Sequence, residues 1–173
     1  TSAGSCAALV LLLGLDRTAR RETLEEMSDM RNVVQCPDVG QLFRHYGWED
    51  GRAFKELVQR VLMRGGLSAH STLGDVRRLL RQEFVCVATD LHTGRALYLS
   101  ADTHPTTKVC DAVYASCCVP FMFVPAKIDG HLVADGCLAC NVPEVFAEDE
   151  TLFVTLATGG DEEHPIESWM DFL

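Results

Sequence analysis

The chain has 173 residues, 47% of them hydrophobic and 23% charged, which suits one folded domain and excludes disordered, collagen-like and mucin-like classes. Its 15 Lys and Arg stand against 25 Asp and Glu, a net charge of −10, so no nucleic-acid partner is expected: that needs a basic footprint. The longest apolar run, Cys6 to Leu13, is too short to span a bilayer.

Ala and Leu fill that run without alternation and Gly14 stops it, which predicts a short helix buried on most sides. Residues 16 to 36 are charged and predict an amphipathic helix with its exit, after which Pro37-Asp38 restarts the chain. Asp50 or Gly51 opens the next helix. Its Phe54, Leu57, Val58, Val61 and Leu62 fall on one helical face, and Gly65-Gly66 ends it as a left-handed cap. Thr72 and Asp75 match a capping box ahead of Leu73, Val76, Leu79 and Leu80.

From Glu83 the pattern changes. The β-forming run Phe84 to Thr89 predicts a strand covered on both faces, and His92-Thr93-Gly94 turns it into an antiparallel neighbour, Arg95 to Ser100. Val109, Ala112, Val113 and Ser116 mark a helix stopped by Pro120. Asp129-Gly130 joins Ala126–Ile128 to His131–Ala134 as a hairpin. Leu152 to Leu156 is the last predicted strand, followed by an acidic tail. Helices alternating with buried strands give an α/β class in three layers.

Eight cysteines lie mostly inside apolar runs, where a free thiol packs as a small hydrophobe. A chain with a core of its own does not need disulfide staples, so reduced thiols in an intracellular protein are expected. Cys137-x-x-Cys140, with Cys117 and Cys118 nearby, invites a zinc reading. A structural site normally takes two such knuckles, and one is present, so packing is preferred over metal.

Two residues carry candidate chemistry. Thr1-Ser2-Ala3-Gly4-Ser5 followed by an apolar helix is the second half of a nucleophile elbow, in which small residues avoid collisions beside a strained serine. The Ala3 N–H at the helix N-terminus is then an oxyanion donor. The plainer alternative is a serine that caps a buried helix. Asp135 ends the strand from His131 and is followed by Gly136, which puts its carboxylate at a strand tip. His131 shares its face but stands four strand steps away, roughly 13 Å, beyond hydrogen-bond reach. It is read as a surface histidine, while Ser116 and Cys6 are read as packing residues.

Taken in order, Thr1-Ser2-Ala3-Gly4, Thr89-Asp90-Leu91-His92-Thr93-Gly94, Ala115-Ser116-Cys117-Cys118-Val119-Pro120, Asp135-Gly136-Cys137 and Asn141-Val142-Pro143 resemble the patatin-like phospholipase family of lipid acyl hydrolases. That family's pattern runs G-T-S-A-G, T-D-L-x-T-G, A-S-x-x-x-P, then D-G-G or D-G-A with Asn and Pro soon after. Cys137 departs from the usual Gly or Ala. The family's Gly-rich oxyanion loop and the strand before the elbow would both precede Thr1. Residues 1–173 are therefore expected to be an N-terminally truncated single patatin-like domain, unable to fold well or turn over substrate alone.

The resemblance implies a three-layer patatin-like sandwich with a central, mostly parallel sheet. It implies a Ser-Asp dyad, with Ser2 attacking an acyl ester, Asp135 taking its proton directly, and Gly4 and Gly136 supporting the motifs. No metal or organic cofactor is implied. The partners are a lipid substrate and, transiently, a membrane or lipid surface, which fits a cytoplasmic protein or one peripheral on intracellular membranes. Helices between residues 16 and 82 would serve as lid and acyl-pocket walls. Two alternatives stay open, a catalytically inactive scaffold and a zinc-stabilised binding module.

Overall fold

Local sequence signals set most of the elements. The computed structural model describes residues 1–34 and 39–143. The predicted strand Leu152–Leu156, the acidic tail and Pro37-Asp38 lie outside the described residues. Helix α1 spans Ala3–Leu12, and α2, Arg17–Ser28, starts where the Asp16 carboxylate accepts the Thr18 and Ala19 N–H groups. A 3-10 turn at Met30–Asn32 follows, then α3 (Val39–His45), β1 (Gly47–Glu49) and α4 (Arg52–Arg64).

Gly51 opens α4 at φ 75°, and a Cβ there would run into the Tyr114 ring. At the other end Gly66, at φ 77°, bonds to the Met63 carbonyl and Leu67 bonds to that of Leu62, a Schellman stop. Helix α5, Leu73–Leu80, carries the complete Thr72–Asp75 capping box.

The strands follow the predicted turns. β2 (Cys86–Asp90) turns back through Gly94 into β3 (Ala96–Leu99). After α6 (Val109–Cys117) and β4 (Phe121–Phe123), β5 (Ala126–Ile128) and β6 (His131–Asp135) form the hairpin. Asp129 and Gly130 both take positive φ there, as a type I′ turn demands. The sheet order is β3-β2-β6-β5. All five residues of central β2 are buried, so its coverage on both faces is as expected, although it starts at Cys86 rather than Phe84.

Three layers result: this sheet, α6 packed on it, and α4 behind α6. The whole predicted face of α4, Phe54, Leu57, Val58, Val61 and Leu62, is buried, and Phe54 joins Tyr114 and Phe123 in an aromatic cluster. That packs α4 into the core as a wall.

Two other expectations change. Parallel pairing among the described strands is confined to β1 with β4, while the four-stranded sheet is antiparallel throughout. The two hairpins make β2–β3 and β5–β6 antiparallel by connectivity, and β6 also runs antiparallel to β2. Helix α1 buries only Ser5, Leu9 and Val10, and Leu11 stands 58% exposed, so it is covered on one side rather than most.

Candidate active site

Ser2 stands immediately before α1 with φ 49° and ψ −132°, outside the comfortable region for a residue with a side chain. Such a conformation costs about 1–3 kcal/mol and persists only when the surroundings hold it. Here the Ser2 N–H donates to both the backbone carbonyl and the hydroxyl oxygen of Ser116, each at 3.1 Å. The Ser2 carbonyl accepts from the Ser5 N–H and the Ser5 hydroxyl. The serine is therefore pinned to both α1 and α6.

Its side chain makes no cap hydrogen bond. The Ser2 Oγ instead donates to Asp135 Oδ2 at 2.6 Å. The capping alternative thus fails on geometry, because the hydroxyl is turned away from the helix and towards the carboxylate.

Asp135 is fully buried at the end of β6. Its N–H donates to the Cys118 carbonyl, and its own carbonyl accepts from the Thr89 hydroxyl at 2.8 Å. The second carboxylate oxygen, Oδ1, accepts from the Cys137 N–H at 2.9 Å. No cationic side chain among the described residues bridges to either oxygen. A lone carboxylate held on a serine hydroxyl in a dry setting can act on that hydroxyl's proton.

The two glycines of the motifs differ. A Cβ on Gly136 would meet the Val87 carbonyl oxygen at 2.2 Å and its carbon at 2.7 Å, so this position admits only glycine. At Gly4 the expected crowding is not found: among the described residues, nothing lies within 4 Å of an added Cβ. Ala3 is the first residue of α1 and has no carbonyl four residues back within the helix to accept its N–H.

Ser116 has a place that sequence reasoning missed in part. It packs as expected, fully buried, yet its hydroxyl also donates to the Val87 carbonyl at 2.7 Å while accepting from Ser2. The A-S-x-x-x-P segment was the available signal, and its serine is the residue that contacts the Ser2 N–H.

Among the described residues, no histidine is hydrogen-bonded to either member of this pair. His131 Nδ1 lies 3.1 Å from Asp90 Oδ2 and is half exposed, as a surface histidine. His104 sits on Thr103.

The four cysteines of the zinc alternative have separate partners. Cys117 faces Cys6, Cys118 faces the Ala115 and Val133 carbonyls, Cys140 faces Val142 and Tyr98, and Cys137 is exposed. Among the described residues, no group of three or more His, Cys, Asp or Glu is arranged to hold a metal ion. Burial pushes the Cys118 and Cys137 thiols up to about 11, with Asp135 adding to both.

A family model described as patatin-like phospholipase matches residues 1–147. Among curated proteins, the chain is similar to the uncharacterized protein R571 of Acanthamoeba polyphaga mimivirus, 22% identical over 184 aligned positions. The match takes in 99% of this chain and 60% of the viral protein's length.

Proposed function

The chain belongs to the patatin-like phospholipase family, and on that premise we propose that it is a serine lipid acyl hydrolase, cleaving fatty-acyl esters of phospholipids or glycerolipids. One observation carries the reading: the hydrogen bond from Ser2 Oγ to the buried Asp135 carboxylate. Ser2 attacks the ester carbonyl while Asp135 takes the hydroxyl proton directly. The tetrahedral oxyanion forms beside the N-terminus of α1, where the Ala3 N–H donates to it and the helix dipole favours its charge. Asp135 then passes the proton to the departing alcohol. Water attacks the acyl-Ser2 ester with Asp135 as base, and the free acid leaves.

This chemistry requires the hydroxyl and carboxylate in immediate contact, since a carboxylate is a weak base at neutral pH. The Ser116 contacts hold Ser2 for that purpose, and Gly136 lets β6 end closely against β2.

Lipid substrates reach the site from a surface. Phe43, Tyr46 and Phe121, 80%, 68% and 72% exposed around the β1–β4 pair, support transient contact with a membrane or micelle. No helix among the described residues is long and apolar enough to cross a membrane. Hydrolysis of phospholipid and glycerolipid vesicles by the full-length protein tests the reading, with Ser2→Ala and Asp135→Asn as comparisons. Release of fatty acid that both substitutions remove is the expected result; release that survives either one refutes the assignment.

A further inference from the structure

Two thiols face each other next to the Ser2–Asp135 pair. Cys6 Sγ on α1 lies 3.7 Å from Cys117 Sγ at the end of α6, and both residues are partly exposed. Ser5 Oγ is also 3.7 Å from Cys117 Sγ. The neighbours of these cysteines are the residues that hold the serine: Ser5 bonds to the Ser2 carbonyl, and Ser116 bonds to the Ser2 N–H. A covalent link between Cys6 and Cys117 would therefore join the two elements that fix Ser2.

We propose that Cys6 and Cys117 are a peroxide-responsive dithiol that closes to a disulfide and slows the chemistry at Ser2. The slowing rests on the hydrolase reading of Ser2; the closure does not.

The two sulfurs are not equivalent. A hydrogen bond from Cys117 holds the Cys6 thiol below its ordinary value, while the same contact, together with burial, raises that of Cys117. Cys6 is thus the attacking sulfur, because the thiolate is the nucleophile. The Cys6 thiolate attacks one oxygen of hydrogen peroxide and breaks the O–O bond. Cysteine sulfenic acid forms, and the departing hydroxide takes the Cys117 proton to give water. The Cys117 thiolate then attacks the Cys6 sulfur, forming the S–S bond and expelling hydroxide, which solvent protonates. The two thiols lose two electrons, peroxide gains them, and two waters result.

Closure draws the sulfurs from 3.7 Å to about 2.0 Å. Part of that movement passes to the Ser2 backbone and opens the 2.6 Å contact with Asp135. Displacements of about 1 Å at a reacting group cost up to about a hundredfold in rate.

The test treats the reduced full-length protein with hydrogen peroxide, maps thiols by peptide mass spectrometry and follows lipid ester hydrolysis in parallel. The expected result is a Cys6–Cys117 cross-linked peptide lacking two hydrogens. With it comes a loss of hydrolysis of about tenfold or more, reversed by dithiothreitol. Cys6→Ser and Cys117→Ser are each expected to keep basal hydrolysis and lose the dithiothreitol-reversible part of the peroxide response.

Cysteines that stay unlinked while the reduced protein hydrolyses lipid overturn the switch and leave the hydrolase reading standing. A cross-link with no change in rate overturns the slowing. A cross-linking protein whose reduced form cleaves no ester counts against the hydrolase reading itself, and the slowing falls with it.

Discussion

The Ser2 hydroxyl donates to the Asp135 carboxylate across 2.6 Å although 133 positions separate the residues along the chain. Two unrelated pieces of backbone bring them together. β6 ends at Asp135 in register with Ala88 of β2, and Ser116 of α6 gives the Ser2 N–H its acceptors while its hydroxyl bonds to Val87 of β2. Asp135→Asn keeps the shape and the Cys137 contact but cannot take the serine proton. It is expected to lower kcat/KM for ester hydrolysis by at least about a thousandfold while leaving the thermal unfolding transition close to that of the parent. An Asn variant that turns over at a comparable rate would remove Asp135 from the mechanism.

Gly136 and Gly4 give a matched steric comparison. Gly136→Ala places a methyl 2.2 Å from the Val87 carbonyl oxygen, and overpacking of this kind costs about 1–3 kcal/mol. Gly4→Ala meets no atom within 4 Å among the described residues and adds a helix former within α1. Chemical denaturation is expected to rank Gly136→Ala well below the parent and Gly4→Ala level with it or above.

Ser116→Ala removes one hydroxyl that serves both Val87 and Ser2. Loss of such a buried partner costs about 1–3 kcal/mol of stability. A positioning role adds a kinetic signature: kcat is expected to fall with KM little changed, since the substitution loosens the nucleophile. A fall in stability with kcat intact would make Ser116 a packing residue alone.

Asp90 supplies a pH dependence. The His92 N–H donates to its carboxylate, with Thr93 and His131 adding to the effect, and these hold it below the ordinary carboxylate range against the opposing effect of burial. The unfolded chain therefore takes up the proton at higher pH than the folded one. The stabilisation from ionised Asp90 is complete above the unfolded value of about 3.9 and disappears as pH falls through the folded value. Denaturation of the parent and of Asp90→Asn is expected to show a stability gap at neutral pH that narrows in this acid range. A gap independent of pH would assign the contribution of Asp90 to shape rather than charge.

Much of this structure was legible because its signals are local. The capping box at Thr72, the Gly65-Gly66 stop, the Asp129-Gly130 hairpin and the apolar face of α4 each follow from residues within one or two turns of each other. The short distance from Ser2 to Asp135 followed from motif order instead, since nothing in either segment alone specifies the other. What escaped was tertiary. Exposure of Leu11 depends on what packs beside α1, and the crowding that demands glycine at Gly136 comes from Val87, far away in sequence. The second partner of the Ser116 hydroxyl was hidden for the same reason, because helical periodicity records only that a side chain faces inward.

The identity of the nucleophile can be read chemically. Treatment of the full-length protein with a lipid-like fluorophosphonate, followed by peptide mass mapping, should place the phosphonyl group on Ser2, with labelling lost in Asp135→Asn. A reagent that leaves Ser2 unmodified in a protein actively cleaving lipid esters, or that labels a different serine, would contradict the dyad.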